Sequence, residues 1–210
     1  MGGRGGTSQG SRQDTNSGSP VSQSMAVDAV QSDADKWKSS LTSEEDFAIR
    51  SYTGIGYFNV NNALRGVLGN INSPVALTGG MTVGAIARDM DSALAKSTVR
   101  LPFTTYRGVD NRFTQLQNLL KAGDGAIGSV LTDKGFVSTT LDRETRTDNN
   151  IMRIRVPAGA KGAYVESITS SSGEQEFILP RNSRFRVTGV TRPQLTGGSY
   201  QTTFDVDLIK

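Results

Sequence analysis

The sequence predicts an α+β domain, with helices first and an antiparallel or mixed sheet after them. Three observations predict it. Apolar residues in the first half recur at the three- and four-residue steps of an amphipathic helix. In the second half the apolar runs shorten and break at Gly and Pro, as short strands do. No internal repeat divides the 210 residues, a length that suits one domain with an ordinary core plus a tail.

Residues 1–22 are low-complexity Gly, Ser, Gln and Asn, with Pro20 near their end. They carry too little apolar surface to offset chain entropy, so a disordered leader is expected there. Residues 23–210 are expected to form the single folded domain. Val27, Val30, Ala34, Trp37 and Leu41 mark a helix over 24–39. Ser43 and Asp46 resemble a capping box with Asp in place of Glu, opening a second helix that runs through Arg50. Tyr52-Thr53-Gly54 ends it. A third helix over 58–68 is closed by Gly69, and a loop with Pro74 and Gly79-Gly80 follows. Val83, Ile86, Met90 and Leu94 place the fourth helix at 82–96. A strand over 99–107 is interrupted early by Pro102. Residues 112–121 form a short helix with Phe113, Leu116 and Leu120 inward. Strands are then expected at 135–141, 151–156, 162–166, 175–179, 184–190 and 199–209.

Composition narrows the chemistry. The net charge of +3 is too small to argue for nucleic acid. No apolar run approaches a membrane-spanning length, and no charged-then-apolar leader of the Sec type opens the chain. Met1-Gly2-Gly3-Arg4-Gly5-Gly6 lacks the Ser or Thr that myristoylation prefers at its end. There is no Cys, hence no disulfide, thiol nucleophile or zinc–thiolate site. There is no His, which removes the histidine-based triads and the usual catalytic zinc sites. Any catalysis runs on carboxylates, Arg, Lys, Tyr, Ser or Thr.

Three marks in the second half carry chemistry. Thr105-Tyr106-Arg107-Gly108 ends a strand on an arginine and then a glycine. Such an Arg is either an exposed strand end or a planar fork for phosphate or carboxylate, beside a Gly that admits a ligand. Gly135-Phe136-Val137-Ser138-Thr139-Thr140 is either a Thr-rich strand or a row of hydroxyls that holds a carboxylate and a sugar. Gly173-Glu174-Gln175-Glu176-Phe177 sets two carboxylates one residue apart. A strand beginning at Gln175 would place both acids on one side of the chain. Carboxylates with different surroundings divide labour, one stabilising positive charge and one acting as base. Two solvated loop glutamates are the plainer reading.

Arg, then Ser-Thr-Thr on a strand, then Glu-x-Glu at a strand start resembles the arginine–serine–glutamate class of ADP-ribosyltransferases. The resemblance runs from about residue 45 to the end. Ile49-Arg50-Ser51-Tyr52-Thr53-Gly54 and Val60-Asn61-Asn62-Ala63-Leu64-Arg65 look like the opening of the bacterial and phage exoenzyme-type transferases. Phe177-Ile178-Leu179-Pro180-Arg181-Asn182-Ser183-Arg184-Phe185 is similar to their closing stretch. The absence of His separates the chain from the diphtheria-like branch.

The resemblance implies a core of two packed, mainly antiparallel sheets with N-terminal helices beside it. It also implies roles. Glu176 would bond the nicotinamide ribose and stabilise the cation formed as nicotinamide leaves. Glu174 would orient the acceptor, Glu at that place going with arginine. Ser138 would hold Glu176 and the ribose, with Thr139 and Thr140 in support. Arg107 would meet the NAD phosphates and Gly108 the nicotinamide amide. Asn61 and Arg65 would contact the adenosine and phosphate side. Either Arg143 or Arg146 would reach the diphosphate.

The implied function is mono-ADP-ribosyl transfer from NAD to a protein arginine, with NAD as co-substrate and no metal. The expected partner is a protein bearing a target arginine. No membrane partner is expected, nucleic acid is not indicated, and the protein is expected to be a monomer. Secretion or delivery into a target cell is expected, as an effector or a phage protein carried in with the genome. The rival readings are an NAD glycohydrolase, transfer to RNA or linkage of RNA to protein, and a catalytically dead binding module.

Overall fold

The structure is a computed structural model that describes residues 22–109, 114–143, 148–169, 173–192 and 201–209. The Gly/Ser-rich stretch through residue 21, the expected start of the helix at 112 and the candidate Arg146 lie outside the described residues.

Helix α1 (Gln23–Lys38) opens on Ser22, whose Oγ accepts the Met25 amide. It buries Val30, Ala34 and Trp37 of the expected stripe, with Ala26 fully buried in place of Val27, which is partly buried. Trp37 Nε1 donates to Ala93 O at 2.8 Å and ties this helix to α4 (Val83–Ala95). Helix α2 (Ser43–Ser51) has its capping box one residue earlier than the sequence suggested. Thr42 Oγ1 accepts the Glu45 amide, and Glu45 accepts the Thr42 amide at 2.8 Å. This box also gives Glu45 partners on α4, Ser92 and, just past its end, Lys96. Tyr52-Thr53-Gly54 does not stop the chain. A widened π-type turn over Tyr52–Gly56, bent at Gly54, carries it into α3 (Tyr57–Arg65). Helix α3 ends at Gly66 in the left-handed conformation (φ 72°), three residues before the Gly69 expected from sequence.

The second half contributes β1 (Phe103–Gly108), α5 (Thr114–Ala122), β2 (Val130–Asp133), β3 (Val137–Thr140), β4 (Asn150–Val156), β5 (Ala163–Tyr164), β6 (Glu176–Leu179), β7 (Ser183–Thr191) and β8 (Thr202–Ile209). Strand β2 was not foreseen: the segment holds few apolar residues and sits at a sheet edge. The strands hydrogen-bond in the order β2-β7-β8-β4-β1-β3-β6-β5. Strands β4 and β8 pair in parallel and the other pairs are antiparallel.

The two sheets implied by the resemblance are therefore joined, at the single pairing of Tyr106 with Thr140. The halves on either side of that seam face each other across one core. Phe103, Met152, Ile154 and Phe204 meet Val137, Phe177 and Leu179 there, with Phe103 and Phe177 edge to face at 5.0 Å. A second core lies on the other face of β3, β5 and β6. Phe136, Ala163 and Ile178 pack there against Ile49, Tyr52, Met90 and Leu94 of the helical half. The region around the seam thus lies between both cores. Among the described residues no helix is long and apolar enough to cross a membrane.

Candidate active site

Strands β3 and β6 supply the centre. Thr140 lies opposite Glu176 and Ser138 opposite Ile178. Period two then puts Ser138, Thr140, Glu176 and Ile178 on one face. Ser138 Oγ donates to Glu176 Oε1, and Glu176 is buried at 6% exposure. Thr139 points to the opposite face. Its hydroxyl is buried, donates to Phe177 O at 2.7 Å and receives Thr105 Oγ1 at 2.7 Å. It ties β3 to its neighbours, which is a supporting place.

The acidic pair is not set by alternation. Gln175 sits at φ 46° and lies outside the strand, which begins at Glu176. Glu174 is exposed, while Glu176 is buried. The backbone beneath them is held by β3 and its end. Thr140 Oγ1 donates to Glu174 O at 2.7 Å, and the Leu141 amide to Gln175 O at 3.1 Å. The two carboxylates therefore differ in surroundings, as a division of labour requires.

Cations reach the same place from β1 and α3. Arg107 Nη1 donates to Ser138 O at 3.3 Å, and its Nη2 lies 3.8 Å from Asp133 Oδ2. Asp133 is buried and grips Arg65 through two parallel bonds, Nε at 2.8 Å and Nη2 at 2.9 Å. It also accepts the Gly135 amide at 2.9 Å. Asp133 therefore anchors both arginines, and sequence reasoning missed it. Its signal was faint: an acid two residues before the glycine that opens the Ser138 strand.

Asn61 is placed differently from expectation. It is buried, its Nδ2 donates to Tyr52 Oη at 2.8 Å, and its Oδ1 accepts the Phe136 amide at 2.9 Å. Tyr52 Oη donates to Phe136 O at 3.3 Å. Both ends of its amide are bonded inside the protein, a place from which it supports the site from beneath. Gly135 makes room for it: a Cβ there would come within 2.5 Å of Asn61 Oδ1. Burial raises the Tyr52 phenol well above its ordinary value, the Asn61 bond and the fields of Arg107 and Arg65 lower it, and the Glu176 charge raises it. The net shift is upward, so Tyr52 stays a neutral hydroxyl.

A cavity of about 400 Å³ is lined by Arg65, Arg107, Gly108, Phe58, Leu68 and Asp133 among others, while Ser138 and Glu176 are not in its lining. Its wall is mostly apolar and includes two guanidinium forks. That combination fits a ligand with a flat ring and an anionic diphosphate. Gly108 lines it, and the Asp148 carboxylate occupies the space that a Cβ would need there. Arg143 faces elsewhere. Its Nη2 donates to Gln201 Oε1 at 2.6 Å beside another hollow, with Tyr106 and Arg153. Arg146 lies outside the described residues.

The chain is similar in sequence and in fold to known proteins. The family described as ADP-ribosyltransferase exoenzyme matches residues 31–209. The chain is 27% identical over 169 residues to the NAD(+)–arginine ADP-ribosyltransferase EFV of Enterococcus faecalis. That match takes in 75% of this chain and 31% of the relative, so the chain spans under a third of that relative's length. The solved structure of Plx2a, an ADP-ribosyltransferase toxin from Paenibacillus larvae, superposes with a TM-score of 0.71 at 23% identity, covering 91% of this chain and 98% of that one. The ADP-ribosylating toxin BECa of a C. perfringens binary enterotoxin, solved with NADH, superposes at 0.68 with 22% identity, covering 88% and 48% of the two chains. At these identities the two structures speak for the fold.

Proposed function

Since the chain belongs to the ADP-ribosyltransferase exoenzyme family, we propose that it moves ADP-ribose from NAD to an arginine of a target protein and releases nicotinamide. The observation that carries this reading is the unequal acidic pair. Glu176 is buried against Ser138, and Glu174 stands exposed on a backbone held by Thr140.

The residues present suit the chemistry. The bond from ribose C1′ to the pyridinium nitrogen breaks, its electron pair returns to the ring, and neutral nicotinamide departs. No proton has to reach the leaving group, so the absence of His is no obstacle. The sugar is left as an oxocarbenium-like cation, which Glu176 stabilises from a position already set by Ser138. Arg65 and Arg107, oriented by Asp133, meet the diphosphate. Glu174 draws in the acceptor guanidinium, a cation at neutral pH, and takes the proton it sheds once its nitrogen has bonded to C1′. The same site with water as acceptor gives NAD hydrolysis. Delivery into a target cell and action in its cytoplasm go with this reading, as does a target protein as the partner.

Nicotinamide release and arginine labelling on the same two variants test it. Glu176→Gln should abolish both, on the order of 100-fold or more, because both pass through the sugar cation. Glu174→Gln should lose labelling and keep much of the slow hydrolysis. Full nicotinamide release by Glu176→Gln sinks the reading.

A further inference from the structure

Glu166 lies just past β5, on the stretch that leads to the acidic pair. Its Oε1 accepts the Gly173 amide, and its Oε2 is buried with no hydrogen-bond partner among the described residues. Folding alone gives little reason for this. A neutral side chain could hold one amide without burying a second charged oxygen unpaired, and such exceptions call for an explanation. The bond it does make is of the strong, charge-assisted kind.

Its position supplies the explanation. Gly173 (φ 93°) and Gln175 (φ 46°) are both left-handed, so the chain turns sharply on each side of Glu174. On the far side the backbone is pinned by Thr140 and by the Leu141 amide. On the near side, the Glu166 carboxylate supplies the fastening at Gly173. Lys38, in the last turn of α1, donates to Ser167 O at 2.9 Å and fixes the root of the same stretch. Glu174 is thus an exposed side chain on a turn clamped at both ends.

We propose that Glu166 is a positioning residue: it latches the turn that carries Glu174, and so sets how much NAD turnover ends on a protein arginine rather than on water. This rests on the reading of Glu174 given above. Glu166 acts through Gly173, so the nicotinamide-releasing step is expected to be spared.

Two variants in the full chain test it. Glu166→Ala removes the latch, and Glu166→Gln keeps an oxygen for the Gly173 amide. Three readouts apply: hydrogen exchange at the Gly173 amide, arginine labelling, and nicotinamide release without acceptor. In Glu166→Ala the amide should exchange about tenfold faster or more and labelling should fall about tenfold, while nicotinamide release stays within about twofold. Glu166→Gln should restore protection and most of the labelling. Parallel loss of labelling and release overturns the proposal, as does a Gln variant that protects Gly173 yet labels no better than Ala. If Glu174→Gln loses labelling and Glu166→Ala does not, the proposal alone falls. If Glu174→Gln labels like wild type, the reading beneath it falls as well.

Discussion

Ser138 and Glu176 are neighbours in space because two strands pair in one register, and each single-residue expectation follows from a contact of this kind. Asn61 is a support, so its loss should act on folding first. Asn61→Ala leaves the buried Phe136 amide without its partner, which typically costs about 1–3 kcal/mol. A lower urea midpoint, with NAD affinity preserved in the protein that remains folded, is the expected result. Arg65 should behave in the opposite way. Arg65→Lys keeps the charge but cannot make two parallel bonds to Asp133. KM for NAD should rise on the order of tenfold with a smaller change in kcat. An unchanged KM would place Arg65 outside the NAD site. Glu176 also differs from a plain surface acid. It is buried, so the fold of Glu176→Gln should be checked by circular dichroism before its lost activity is attributed to chemistry.

Helices α2 and α4 are joined through a buried carboxylate. Glu45 accepts from Thr42 N at 2.8 Å, Ser92 Oγ at 2.7 Å and Lys96 Nζ at 2.5 Å. Burial raises its pKa, but the bonds from Lys96, Ser92 and Thr42 outweigh burial and hold the group below its ordinary 4.5. A depressed folded value means the stabilisation is present above 4.5 and is lost as pH falls through the lower folded value. The urea midpoint of the wild type should therefore drop on acidification below that point. Glu45→Gln should start lower and lose this part of the slope. An equal slope in both proteins would mean that Glu45 is not the group responsible.

The elements were legible to different degrees. Helices α1 and α4 were readable to within a residue or two, since each has a long apolar stripe and a clean start. The end of α3 was misread because Gly66 and Gly69 are equally good stops by sequence. Strand β2 was not seen because its place at the edge comes from pairing with β7, a partner fifty residues away in the chain.

For the whole molecule, the N-terminal boundary is open to test. The sequence alone would start a shortened protein near Ser24. The structure moves that limit, because Ser22 caps α1 and Gln23 makes two bonds to the backbone of Thr104 in β1, at 2.7 and 2.8 Å. A chain beginning at Ser22 should keep NAD turnover and the wild-type urea midpoint. One beginning at Ser24 should lose about 2–3 kcal/mol, the ordinary worth of a cap together with two neighbouring hydrogen bonds. Equal midpoints would show that α1 is held by its apolar stripe alone.

The amino-acid sequence by itself settled what is local or compositional. Helical and strand periods determined the α+β class, and the missing His and Cys confined any chemistry to the side chains that are present. The order of Arg107, Ser138 and Glu176 was enough to suggest the family. Tertiary structure decided what depends on partners distant in the chain. It buried Glu176 and left Glu174 exposed, turned Thr139 and Asn61 inward, and brought Asp133 between two arginines. The physical reason is the same in each case. Burial and hydrogen-bond partners belong to the register of β3 against β6 and the packing of α3 on the sheet, and neither is written in any short stretch of residues.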